Sequence, residues 1–107
     1  SVRQAESQKL QVEETRKTLE DGIKLEIKQA ILNLKEAEEK IPTAEKAVKQ
    51  AEENLRVGEE RYKAQVTTST EVLDAQTLLS QARMNYYNAL YDHNLARATL
   101  LRAVGEY

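Results

Sequence analysis

The chain has 107 residues, 32% of them charged and 5% aromatic, with a net charge of −2. It has no Cys, Trp or Phe, one Pro and three Gly. That excludes a disulfide framework or a thiolate metal site, and 16 basic against 18 acidic residues give no general attraction to nucleic acid or anionic lipid. A chain rich in Ala, Glu, Lys, Leu and Gln with so few turn residues predicts long helices and an all-α fold. No run approaches the roughly 18 apolar residues of a membrane span. No secretory signal opens the chain, and Ser1-Val2-Arg3-Gln4 reads as a start inside a longer sequence.

Residues 1–22 come first, as an overhang with no partner in this chain. At 1.5 Å per residue it extends roughly 33 Å, and an isolated helix of that kind is marginal in water. Val12 and Leu19 on it call for a neighbour. Leu19, Ile23 and Ile27 are spaced four and four, a stutter that locally unwinds a supercoil.

From Ile23 onward, small or apolar residues fall at alternating steps of four and three: Ile23, Ile27, Ala30, Leu34, Ala37, Ile41, Ala44, Val48, Ala51, Leu55, Gly58 and Tyr62. That is a coiled-coil seam sustained over many heptads. It predicts helix one over about 2–63. Pro42 sits inside this helix, where it removes a backbone hydrogen bond and should kink the rod. The heptad phase continues through it unchanged, so the helix is expected to be continuous.

A turn over about 64–68, centred on Gln65, reverses the chain. Thr67, Thr68, Ser69 and Thr70 cluster there, and Thr68 with Glu71 fits a capping box. Helix two, about 69–104, repeats the seam at Val72, Ala75, Leu79, Ala82, Tyr86, Ala89, His93, Ala96, Leu100 and Ala103, with Gly105 placed to cap its C-terminus. Folding back at Gln65 opposes Gly58 with Val72, Leu55 with Ala75, Ala51 with Leu79 and Val48 with Ala82. Further along, Ala44 opposes Tyr86, Ile41 opposes Ala89, and Ile23 would oppose Tyr107. Nearly every layer sets a large side chain against a small one, which lets the helices approach closely and fixes the register. The fold class is therefore a long antiparallel two-helix coiled-coil hairpin, with residues 1–107 as one unit.

Charge is uneven. Residues 1–63 carry 13 basic and 14 acidic side chains, whereas residues 64–107 carry 3 and 4. Helix two also has a second stripe (Leu73, Thr77, Ser80, Met84, Tyr87, Tyr91, Ala98 and Leu101), which implies a second contact surface within a larger helical assembly. The single His93 lies in the seam opposite Ala37 and reads as a polar seam residue that hydrogen-bonds a neighbour. Tyr86, Tyr87 and Tyr91 have no basic stripe beside them, so they read as packing residues, not a nucleic-acid platform. No nucleophile with a base and no phosphate loop is present, so neither enzyme activity nor a cofactor is expected.

The ordered set Ala51-Glu52-Glu53-Asn54-Leu55-Arg56, Glu60-Arg61-Tyr62-Lys63-Ala64, Glu71-Val72-Leu73-Asp74-Ala75-Gln76, Tyr86-Tyr87-Asn88-Ala89-Leu90-Tyr91-Asp92 and Ala103-Val104-Gly105 resembles the C-terminal repeat of TolC-family outer membrane efflux proteins. The resemblance implies a segment of a trimeric α-barrel: a periplasmic hairpin of an outer membrane channel for tripartite efflux or type I secretion. It also implies a periplasmic adaptor and an inner-membrane pump as partners. The family's Tyr-x-x-Gly tip maps onto Tyr62, Lys63, Ala64 and Gln65, with Gln65 in place of the glycine. A gating Arg of some members maps onto Thr67, so that link should be missing. An acidic ring at the periplasmic entrance of certain members maps onto Glu71 and Asp74. Acids in a helix's first turn also suit its dipole, which would make Glu71 a cap alone. Two other readings remain at this stage. One is the hairpin of a periplasmic adaptor, whose flanking lipoyl-like segments and tip signature are not seen. The other is a three-helix spacer of spectrin-repeat type broken at Pro42.

Overall fold

The computed structural model describes residues 2–106, with α1 at Val2–Lys63 and α2 at Ser69–Glu106. The two helices form an antiparallel hairpin with extents of 94 × 18 × 14 Å. There is no strand among the described residues. At 1.5 Å per residue the 62 residues of α1 account for nearly all of the long axis.

Burial follows the heptad positions. On α1 the buried and half-buried residues are Ile23, Ile27, Ala30, Leu34, Ala37, Ile41, Ala44, Val48, Ala51, Leu55 and Gly58. On α2 they are Val72, Ala75, Leu79, Ala82, Tyr86, Ala89, His93, Ala96, Leu100 and Ala103. Among the described residues, only Thr67 and Leu90 join them. Tyr62 does not: it is exposed, because its counterpart across the turn, Thr68, lies before α2 begins. The seam therefore ends at Gly58. The opposing layer for Ile23 would need Tyr107, which lies outside the described residues.

Among the described residues the buried core is small and made of small side chains: Ala30, Ala37, Ala51, Ala89 and Ala103, with Leu79 the one large member. Two cylinders in contact cover each other along one line, so only a side chain short enough to sit on that line is wrapped completely. Larger seam residues such as Leu55 and Tyr86 lean out and stay half exposed. Every described residue from Val2 to Gly22 is exposed.

Two polar side-chain contacts bridge the helices. Glu52 meets Arg83 at 3.8 Å, and Glu38 meets His93 Nε2 at 3.5 Å. Both lie on one flank of the seam. A heptad slip would separate both pairs by roughly 10 Å along the axis, so they agree with the volume layers on one register. Their carboxylates are more than half exposed, so each adds at most about 1 kcal/mol.

α1 runs unbroken through Pro42, so the described chain has two helices, not the three of a spectrin-type spacer. Pro42 is on the exposed side of α1, where water can satisfy the carbonyl that loses its donor. Thr43, next to it, donates its hydroxyl to the Glu39 carbonyl at 3.5 Å. At the other end of the hairpin α2 continues through Gly105 to Glu106, and no glycine has a positive φ. The expected cap at Gly105 is therefore not formed.

Two substitutions test the packing. Leu79→Ala removes the one large core side chain and is expected to cost about 2–3 kcal/mol in urea unfolding followed by circular dichroism. Gly58 is the opposite case. A Cβ there meets nothing within 4 Å, so Gly58→Ala is expected to raise stability by up to about 1 kcal/mol through helix propensity alone.

Candidate functional site

The end of the hairpin where the chain reverses is the most locally determined part of the molecule. α1 stops in a Schellman motif. The Val66 N–H donates to the Arg61 carbonyl at 2.9 Å and the Gln65 N–H to the Tyr62 carbonyl at 2.9 Å. Between them the Ala64 N–H keeps a last helical bond to Glu60 at 3.0 Å. This geometry needs a left-handed residue one position beyond the cap, and Gln65 supplies it with φ of 60°. Gln65 thus adopts the conformation that a glycine would take without strain, and the turn keeps its shape. Arg61 and Lys63 in the last turn complement the negative end of the α1 dipole.

α2 begins with half of a capping box. The Glu71 N–H donates to Thr68 Oγ1 at 3.4 Å, as an N-cap threonine requires. The reciprocal arm differs: the Glu71 carboxylate accepts a hydrogen bond from the Thr67 hydroxyl and is not spent on the Thr68 backbone. Thr67 is half buried by this arrangement. The threonine pair therefore holds Glu71 at both its backbone and its side chain.

Asp74 lies one turn further along α2, exposed, with no ion pair or hydrogen bond among the described residues. Glu71 and Asp74 share one side of the helix, three residues apart and next to the turn. Tyr62 and Gln65, also exposed, lie on the α1 side of the same end. Nearby on α1, Arg56 ties two carboxylates together. Its Nε donates to Glu53 at 2.9 Å and its Nη1 to Glu60 at 2.8 Å. The hydrogen bond from Arg56 holds the Glu53 carboxyl below the usual carboxylate range, so one guanidinium faces two carboxylates and the cluster keeps one net negative charge.

The other candidate surface is the outer face of α2. Leu73, Met84, Tyr87, Tyr91 and Leu101 are each at least 60% exposed. They recur at the same steps of four and three as the seam, with Thr77, Ser80, Asn94 and Ala98 between them, and none is charged. The Tyr86 and Tyr87 rings lie 5.9 Å apart at 51°, one in the seam and one on this face. The grooves beside the seam are open to solvent, and among the described residues no cluster of three His, Cys, Asp or Glu is placed to hold a metal. No described helix is long and apolar enough to cross a membrane.

Thr68 caps α2 and His93 meets a polar neighbour across the seam, as the sequence suggests, whereas the Thr67–Glu71 bond and the Glu52–Arg83 pair were not foreseen. The signal for Glu52–Arg83 was present, since both residues flank the seam on the same side. The tip also yields a prediction. Gln65→Gly relieves the left-handed strain and is expected to stabilise the chain by about 1 kcal/mol, while a β-branched residue there destabilises it by at least as much. Chemical denaturation of the parent chain and the two variants reads the order directly.

Comparison with known proteins gives one match. The family model described as outer membrane efflux protein matches residues 1–106. No curated protein and no solved structure matches the chain. With the family match extending over essentially its whole length, the chain belongs to the outer membrane efflux protein family.

Proposed function

We propose that this hairpin is a periplasmic wall segment of an outer membrane efflux or secretion channel, a non-catalytic conduit assembled as a homotrimer. The observation that carries this reading is the pair of stripes on α2. One is covered by α1 and the other lies bare at the same helical period. A helix built this way is made to stand in a row with a neighbour on each side, which is how a tube of helices is walled. The family match supports the same reading. The exposed overhang of α1 fits it too, since Leu10, Val12 and Leu19 then belong against helices of the rest of the channel.

In this reading the turn end faces an adaptor fed by an inner-membrane pump, with Tyr62, Gln65 and Thr67 forming the docking end. The Schellman turn keeps that end in its glycine-type shape despite Gln65, which supports docking. Asp74, repeated threefold around the entrance, is the charge that draws cations and repels anions there. Glu71 contributes less, because Thr67 and the helix cap already engage it.

The test uses the intact outer membrane protein carrying this hairpin, reconstituted in a planar bilayer. Asp74→Asn is expected to weaken block by a multivalent cation about tenfold, with Glu71→Gln having the smaller effect. Unchanged block in Asp74→Asn would leave that residue a local surface acid. Failure of the intact protein to form a conducting pore would remove the channel reading itself.

A further inference from the structure

The bare face of α2 also matches itself. We infer that the free chain pairs α2 against α2 of a second copy, antiparallel, in a two-fold dimer that the channel arrangement does not contain. This goes beyond the channel reading and does not rest on it.

The face is a seam by period, so its natural occupant is another long helix. The outward face of α1 does not qualify, because Lys28, Lys35, Glu39, Lys46 and Lys49 stand on it. The uncharged face of α2 does. In an antiparallel pairing centred between Asn85 and Tyr86, Leu73 lies against the partner's Ala98 and Thr77 against the partner's Asn94. Ser80 then meets the partner's Tyr91, and Met84 meets the partner's Tyr87, a sulfur–aromatic contact. Large thus meets small in two of the four layers, Leu73 with Ala98 and Ser80 with Tyr91. Parallel pairing would instead stack Tyr on Tyr and Ser on Ser, leaving layers of unequal width.

Charge selects the same register. Inside the hairpin, Glu52 and Arg83 meet because they flank opposing layers. The equivalent flanking offset in the dimer brings Asp74 to the partner's Arg102, and the two-fold axis repeats that pair at the other end. Sliding one copy by a heptad in either direction separates the two charges. The contact runs over about 39 Å of helix, from Leu73 to Ala98 and the same on the partner. Side chains that are 60–65% exposed in the single chain are covered along it.

The native chain has no cysteine, so single cysteines report the geometry. Thr77 and Asn94 are both exposed, and replacing them leaves the seam intact. Mixed Thr77→Cys and Asn94→Cys chains are expected to form a disulfide-linked heterodimer on mild oxidation, while neither variant links to itself. Sedimentation equilibrium of the unmodified chain at about 100 μM is expected to give a dimer. Asp74→Arg should weaken it about tenfold, and Asp74→Arg with Arg102→Asp should restore it. A monomer or trimer by sedimentation overturns the inference. Self-linking of either single variant overturns the antiparallel orientation, and an unchanged association constant in Asp74→Arg overturns the register.

Discussion

Everything in this molecule depends on one line of contact between two rods. A two-helix hairpin has no interior apart from that line, and the sequence fills it mainly with alanines, set among half-buried Leu, Ile, Val and Tyr side chains. Helix propensity supports each rod, but the seam sets their relative position. The stabilisation is spread thinly, since only Leu79 contributes a large, well-shielded side chain. Such a core is marginal by itself. The bare face of α2 and the bare start of α1 therefore belong to the energetics of the fold as much as to its function, because whatever covers them supplies what the seam lacks.

The hairpin was legible in the sequence because its determinants are periodic. A heptad phase that passes through Pro42 unbroken and an inversion that matches large with small each constrain the whole length of the chain. Seam positions from Ile23 to Gly58 and from Val72 to Ala103 are buried or half-buried. What was not legible is aperiodic. Tyr62 keeps the phase yet lies exposed, because a seam residue needs a helical counterpart and Thr68 is part of the turn. Gly105 has the composition of a cap, but helical hydrogen bonding carries α2 past it.

The turn end shows how much side-chain chemistry can be hidden in a short stretch. Gln65 takes a left-handed conformation because two backbone hydrogen bonds across it, to Arg61 and Tyr62, outweigh about 1 kcal/mol of strain. The motif position, not the residue type, therefore preserves the turn. Glu71 is similarly reassigned: a residue that pattern alone reads as one arm of a capping box is instead gripped by Thr67. Of the two acids near the turn, that leaves Asp74 as the one whose charge faces solvent without an internal partner among the described residues.

In the seam layer nearest the turn, Gly58 leaves room beside it for a methyl group. Below it the turn is closed by hydrogen bonds, and above it Leu55 and Ala75 are half-buried seam residues. The hairpin therefore ends in a hydrogen-bonded cap beside a seam layer with free space. That space lies outside the hydrogen-bonded turn, so a side chain one methyl larger at residue 58 would leave the outline of the hairpin's end as it is.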